Sequence, residues 1–120
     1  MQLDLDKEDE FEITHSGTGI PFKLKPISPR QYDQLQRAAG KGRDSDSDPI
    51  KFAGIFAEAA IVEWHAEEGG KRVGVKQDCT PENRRRFGEK FAFNIVPWIV
   101  AHCMDAARSL ETEEAAAKNA

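Results

Sequence analysis

The feature that most constrains the fold is a helix-capping residue followed directly by proline. The pairs are Ser28-Pro29, Asp48-Pro49 and Thr80-Pro81. A Ser, Asp or Thr side chain accepts a hydrogen bond from an otherwise unpaired backbone N–H in the first helical turn. Proline at the first helical position has no N–H to leave unpaired. The sequence therefore predicts three helices whose starting points are fixed.

The first predicted helix covers residues 29–39. Gln31 completes a capping box with Ser28, and Gly40 provides the stop. The side chains predicted to be buried are Tyr32, Leu35 and Ala39.

The second predicted helix covers residues 49–65 and is expected to form the centre of the core. Apolar residues recur at the spacing of three and four that marks one face of a helix. This stripe consists of Ile50, Ala53, Ala57, Ile61 and Trp64, widened by Phe52, Phe56 and Ala60. After Gly69-Gly70, the residues Val73 and Val75 predict a short extended segment.

Two further helices are predicted in the second half of the chain. Thr80-Pro81 starts a helix that carries Phe87 and Phe91, and Asn94 caps another in which Pro97 falls in the tolerated first turn. The predicted buried stripe of this last helix is Ile95, Ile99, Cys103, Ala106 and Leu110.

The N-terminal part predicts a β-hairpin, because apolar and polar residues alternate on both sides of a glycine-rich turn at residues 15–19. The apolar positions are Phe11, Ile13, Ile20, Phe22 and Leu24. A lone hairpin is marginal in water, so its apolar face must pack on the helices. The predicted fold class is α+β, mainly α-helical, with this hairpin packed on about four helices.

Composition predicts one globular domain over residues 1–110, since 120 residues suffice for a single core without cross-links. We expect residues 1–10 to form an acidic, disordered arm and residues 41–48 a mobile polar loop. Residues 111–120 have no apolar stripe, which predicts a frayed polar tail.

Charge and hydropathy narrow the classes of partner. The net charge of -4 argues against nucleic acid, which requires a concentrated excess of Lys and Arg. The basic run at residues 84–86 is interpreted as a solvated helix face. Neither a signal peptide nor an apolar run long enough for a membrane span is recognised. We therefore expect a soluble, intracellular protein.

Residues with catalytic or metal-binding potential do not form a recognisable site in the sequence. The candidates are His15, His65, His102, Cys79 and Cys103. None of them has the paired spacing of a zinc site, and Cys103 falls on the predicted apolar stripe, where a free cysteine acts as a small hydrophobic residue. The sequence predicts no catalytic residue, no metal and no cofactor.

Aromatic residues crowd the segment between residues 87 and 98, and they are the candidate partner-binding residues. They are Phe87, Phe91, Phe93 and Trp98. A small core also has to hold the aromatic residues of the second helix, so some of this surface is expected to be exposed to a partner. The alternative interpretation is that all four belong to the core.

The order of motifs resembles the tail assembly chaperones of tailed bacteriophages between about Ile20 and Leu110. The segments that carry the resemblance are FKLKPISPRQYDQL, IVEW, GGKRVGV, CTPENRRRF and IVPWIVAHCMDAARSL. Within them, Val62-Glu63-Trp64 resembles a Val-x-x-Trp-like element of that family, with one intervening residue instead of two. Thr80-Pro81-Glu82-Asn83 resembles its Thr-Pro-Glu-Asn-like helix cap.

The resemblance implies a non-enzymatic protein of the bacterial host cytoplasm, encoded by a phage or prophage. Such a protein binds the tape measure protein during tail assembly and helps to recruit tail tube subunits, with self-association along the client. Two alternatives stay open. One is a structural tail or connector subunit retained in the virion, and the other is a small regulatory adaptor protein.

Genes of this family often contain a programmed -1 ribosomal frameshift near their end. The codons GCA AAA AAC would encode Ala117-Lys118-Asn119 and contain a slippery run. The resemblance therefore implies a minor, extended form of the chaperone, which the nucleotide sequence tests.

Overall fold

The computed structural model describes residues 10–40 and 48–118, with side chains through residue 109. The predicted acidic arm before Glu10 and the predicted polar loop before Asp48 lie outside these residues. The described elements, in chain order, are β1 (Phe11–Thr14), β2 (Pro21–Leu24), α1 (Pro29–Ala39), α2 (Pro49–Ala60), β3 (Ile61–Glu63), β4 (His65–Glu68), β5 (Lys71–Gly74), α3 (Pro81–Lys90) and α4 (Ile95–Lys118). The predicted α+β, mainly helical class is confirmed.

The three capping residues occupy the helix N-termini that the sequence predicts. The Ser28 hydroxyl accepts from the Gln31 backbone N–H, and the Gln31 side chain accepts from the Ser28 N–H, which completes the capping box. The Asp48 carboxylate accepts from two N–H groups of α2, and the Thr80 hydroxyl accepts from one of α3. These bonds satisfy donors that the first helical turn leaves unpaired.

Side-chain burial along α1 and α2 partly follows the predicted stripes. In α1, Ala39 is buried, whereas Tyr32 and Leu35 are half-buried. In α2, Ala53 and Ala57 are buried, but Ile50 is 42% exposed. The prediction that Ile50 is buried is wrong. Ile50 lies in the first turn of α2, at the N-terminal end of the helix.

The predicted N-terminal hairpin is present, and a third strand extends it. Strands β1 and β2 pair antiparallel, with Phe11 opposite Leu24 and Ile13 opposite Phe22. Strand β3 pairs with the other edge of β2 and places Ile61 opposite Leu24. Leu24, Phe22 and Ile61 are fully buried, so the hairpin face packs on the helices as expected.

The prediction that the second helix continues to residue 65 is wrong, because α2 ends at Ala60. Ile61 has extended backbone angles, and the β-branched pair Ile61-Val62 joins the sheet instead. The open edge of β2 supplies backbone hydrogen-bond partners that a helical continuation would leave unused. Trp64 then follows the strand and is buried, at 1% exposed.

A second hairpin follows β3, which the sequence did not predict in full. Strands β4 and β5 pair antiparallel, and the two-residue turn between them consists of Gly69 and Gly70, both with positive φ. Such turns match the twist of a hairpin but strain other residues. Of the two residues of the predicted extended segment, Val73 lies in β5 and Val75 follows the end of that strand. Glu67 and Glu68 form part of β4.

Helices α2 and α3 pack antiparallel and unusually close, because two glycines face each other. A methyl group on Gly88 would lie 2.7 Å from Gly54 Cα and 2.7 Å from Ala57 Cβ, and would also overlap the Ala53 carbonyl oxygen. Close packing of this kind leaves no room for a larger side chain. The contact fixes the position of α3.

Helix α4 begins where Asn94 predicts, with the Asn94 side-chain oxygen accepting from the Ile95 N–H at 2.9 Å. Ile95, Ile99 and Cys103 are buried, as predicted. Further along, Ala107 is buried in place of Ala106, and the Leu110 side chain lies outside the described part. The helix continues through residues 111–118, and fraying of that segment stays a prediction.

Candidate partner-binding cleft

The structure places the two aromatic residues of α3 differently from the partner-binding prediction. Phe87 is buried, at 6% exposed, with its ring centroid 5.7 Å from that of Phe22 and 5.4 Å from that of Trp64. Phe91 is half-buried, and its ring lies 4.8 Å from Phe87. Phe87 is therefore a core residue, as the alternative interpretation held, and Phe91 lies at the boundary between core and surface.

The other two predicted residues lie apart from this pair. Phe93 is 73% exposed in the turn between α3 and α4. Trp98, on α4, is half-buried and packs edge-on between His15 and His102, with both centroid distances at 4.8 Å. Trp98 thus connects the turn of the first hairpin to α4, and the four aromatics do not form one surface.

Phe87 and Phe91 line a cleft of about 340 Å³ between α3, the residue that precedes β2 and the segment that follows β5. This volume lies near the small end of the range for ligand pockets. The residues that line this cleft are Ile20, Trp64, Val75, Gln77, Asn83, Arg86, Phe87, Lys90 and Phe91. Its surface is mainly apolar, with amide and cationic groups among the lining side chains.

Hydrogen bonds hold the wall of the cleft that precedes α3. The Trp64 indole Nε1–H donates to the Gln77 carbonyl oxygen at 2.8 Å, and the Asn83 amide donates to the Asp78 carbonyl oxygen at 3.0 Å. Thr80 then caps α3. The buried Trp64 therefore anchors this wall, and the cleft is preformed, which reduces the entropic cost of binding.

The three arginines predicted to form a solvated face have different roles. Arg84 is half-buried and donates to the Glu58 and Cys79 carbonyl oxygens at 3.2 and 2.7 Å, so the prediction is wrong for this residue. Arg85 forms an ion pair with Glu58 at 3.0 Å. Arg86 is exposed, donates to the Asn83 side chain at 3.1 Å and lines the cleft.

The cleft carries positive charge on the α3 side. Arg86 and Lys90 lie four residues apart and so share one helix face. Within residues 10–40 and 48–118, neither forms an ion pair with a carboxylate. The Lys90 ammonium lies 5.7 Å from the centroid of the Phe91 ring, within the range of a cation–π contact.

A polar cluster lies at the junction of β3 with the second hairpin. The His65 ring donates from Nε2 to the Val75 carbonyl oxygen, and its Nδ1 lies 2.6 Å from Arg72 Nη2 and 3.1 Å from Glu63 Oε1. Arg72 in turn contacts Asp78 at 3.3 Å. Both His65 nitrogens are therefore engaged, and the cluster joins the hairpin to the segment beside the cleft.

The two cysteines are free thiols in different environments. Burial raises the pKa of the Cys103 thiol to about 12, so it is protonated at neutral pH. Burial also raises the pKa of Cys79, although its hydrogen bond to Arg84 opposes the shift. A nucleophilic cysteine requires a lowered pKa, and neither thiol meets that requirement.

No group of three or more potential metal ligands is found among the described residues. In the same part of the chain, no helix has both the length and the apolar character needed to span a membrane.

The sequence does not mark Ile20, Val75 or Gln77 as members of the cleft. Ile20 and Val75 were expected only as strand residues. No signal within either segment marks them, because the cleft forms where three distant segments meet.

No protein-family model, curated protein or solved structure matches this chain. The resemblance to the tail assembly chaperones therefore stays a prediction carried by the quoted motifs.

Proposed function

We propose that this protein is a non-enzymatic tail assembly chaperone of a tailed bacteriophage. In the host cytoplasm it binds an apolar segment of the tape measure protein and helps to recruit tail tube subunits. The observation that supports this proposal best is the preformed apolar cleft beside α3, with cationic groups on one side.

The chemistry of the cleft suits binding. Its apolar surface comes from Ile20, Trp64, Val75, Phe87 and Phe91. The remaining lining side chains described are amides and cations, and none of them is a carboxylate, thiol or imidazole. An apolar pocket with a polar rim is the usual anatomy of a protein-binding site.

A long helical client provides the matching surface. An amphipathic helix binds by placing apolar side chains of one face into a groove. Shielding such side chains until the tail tube assembles would prevent the client from aggregating. Phe91 is the aromatic residue best placed for this contact, since it is half-buried and lines the cleft.

The test is co-expression with the tape measure protein, which the proposal expects to be encoded as a long helical reading frame near this gene. The chain should co-purify with that tape measure protein, and Phe91→Asp should abolish co-purification while the circular dichroism spectrum is unchanged. Phe93→Asp is the matched control, because Phe93 is exposed outside the cleft. Full co-purification of the Phe91→Asp variant would overturn the proposed site.

Mass spectrometry of purified virions separates the chaperone from a structural subunit. A chaperone should be absent from finished particles, whereas a tail or connector subunit would be present in stoichiometric amounts.

A further inference from the structure

Several cations elsewhere in the described chain form ion pairs with carboxylates, whereas the two cations beside the cleft do not. Lys23 pairs with Glu10 at 3.2 Å, and Arg85 pairs with Glu58 at 3.0 Å. Arg86 and Lys90 have no carboxylate within pairing distance among the described residues, although both border an apolar surface. A ligand that covers this surface also removes water from the two cations, which is costly unless it brings negative charge.

The spacing of the two cations selects one kind of ligand. Residues four apart on a helix have side chains about 6 Å apart. Carboxylates that are also four apart on a second helix would match Arg86 and Lys90 as a pair. A cleft of about 340 Å³ accepts an anchoring apolar side chain, not the body of a helix.

We infer that the cleft binds an acidic amphipathic helix of a partner protein. An aromatic or branched aliphatic side chain of that helix enters the cleft against Phe91 and Ile20. Two of its carboxylates, one turn apart, pair with Arg86 and Lys90. This inference rests on the proposed function and specifies the chemistry of the client segment.

The net charge of the protein opposes the binding of an acidic ligand. The whole chain has a net charge of -4, so long-range attraction favours a basic ligand over an acidic one. A preference for an acidic helix must therefore come from the local pair of cations. Complementary charge at close range selects between partners more than it adds affinity.

The test uses two synthetic amphipathic peptides of about 20 residues, which is a helix of about 30 Å. Both carry the same apolar face with a central phenylalanine, and their polar faces carry either glutamates or lysines at a spacing of four. Fluorescence anisotropy at low salt should show that the full chain binds the glutamate peptide at least about tenfold more tightly. Added salt should reduce that preference.

Charge reversal at the cleft provides the decisive comparison. The variant R86E/K90E should lose the glutamate peptide and bind the lysine peptide. The matched control R30E/K51E changes the net charge by the same amount at exposed positions on α1 and α2, and should keep the original preference. Equal binding of both peptides by the unaltered chain, or loss of preference in the control, would overturn the inference.

Two other occupants would also overturn it. If sedimentation shows a dimer that R86E/K90E dissociates, the cleft binds a second copy of the chain. A second outcome concerns the acidic N-terminal arm, in which Asp and Glu can be replaced by Asn and Gln at Asp4, Asp6, Glu8 and Asp9. If the glutamate peptide binds only after that replacement, the arm of the chain itself occupies the cleft.

Failure of this inference and failure of the proposed function give different results. Co-purification with the tape measure protein without any peptide preference would reject only the acidic chemistry. Selective peptide binding without co-purification would reject the chaperone function and leave the cleft as a site for another acidic helix.

Discussion

Helix α3 has two faces that differ in how completely they are packed. Toward α2, Gly88 lies so close to Gly54 that a methyl group does not fit, and Arg84 donates to the Glu58 carbonyl oxygen. Toward the cleft, Arg86 and Lys90 border an apolar surface that the described residues leave uncovered. The two faces belong to one helix of ten residues.

The difference shows how a small domain separates stability from binding. The α2 face fixes the position of α3 through close contact, which tolerates no change of volume. The cleft face then presents its side chains on a rigid element, so binding does not have to order them first. Substitutions on the two faces should therefore affect different measurements.

The largest effect on stability is expected at Phe87, a core residue of α3. Replacing Phe87 with Ala removes a ring that is 6% exposed and should reduce the free energy of unfolding by about 3–5 kcal/mol. Phe93→Ala is the matched control, because Phe93 is 73% exposed and should change stability by no more than about 0.5 kcal/mol. Chemical denaturation measures both, and similar losses for the two variants would refute the assignment of Phe87 to the core.

A smaller effect is expected at Gly88, on the α2 face. Alanine favours a helix over glycine by about 1 kcal/mol, yet the methyl group would force α2 and α3 apart. We expect Gly88→Ala to be destabilising by about 1–3 kcal/mol overall. Arg86→Ala, on the cleft face, should leave the denaturation midpoint almost unchanged. A Gly88→Ala variant as stable as the original chain would show that the two faces are packed alike.

The buried Cys103 thiol of α4 should make the stability of the protein depend on pH. Because burial raises the pKa of Cys103 to about 12, the folded thiol stays protonated while the unfolded thiol ionises above about pH 9. Its contribution to stability is therefore intact below pH 9 and falls by about 1.4 kcal/mol per pH unit as the pH rises toward 12.

Denaturation at pH 8 and pH 10 measures this contribution. The original chain should lose about 1.4 kcal/mol more than Cys103→Val between these values. An equal loss of stability in both proteins would mean that the thiol ionises as readily in the folded state as in the unfolded state.

Local signals in the sequence predicted the helix starts and the first hairpin well. Ser28, Asp48 and Thr80 cap helices because the capping interaction lies within a few residues of the chain. The end of α2 was misplaced for the opposite reason. Ile61 and Trp64 fit a helical stripe and are indeed buried, but pairing with β2, which is distant in sequence, places Ile61 in a strand.

The second hairpin and the cleft were harder to predict. Strand β4 reads HAEE and has no alternation of apolar and polar residues, so only its pairing with β5 defines it. The aromatic segment was recognised, but composition does not reveal which rings the core absorbs. That Phe87 is buried while Phe93 is exposed depends on where α3 ends, and that in turn depends on contacts between distant segments.

The two tryptophans allow the most direct test of the central claim, which is that a partner binds in the cleft beside α3. Trp64 lines the cleft and Trp98 does not, and the chain contains no other tryptophan. In a ¹⁵N-labelled sample, the spectrum therefore contains two indole N–H signals. Addition of the tape measure protein, or of the glutamate peptide, should shift the Trp64 signal and leave that of Trp98 in place. Binding that shifts Trp98 alone, or neither signal, would contradict the account.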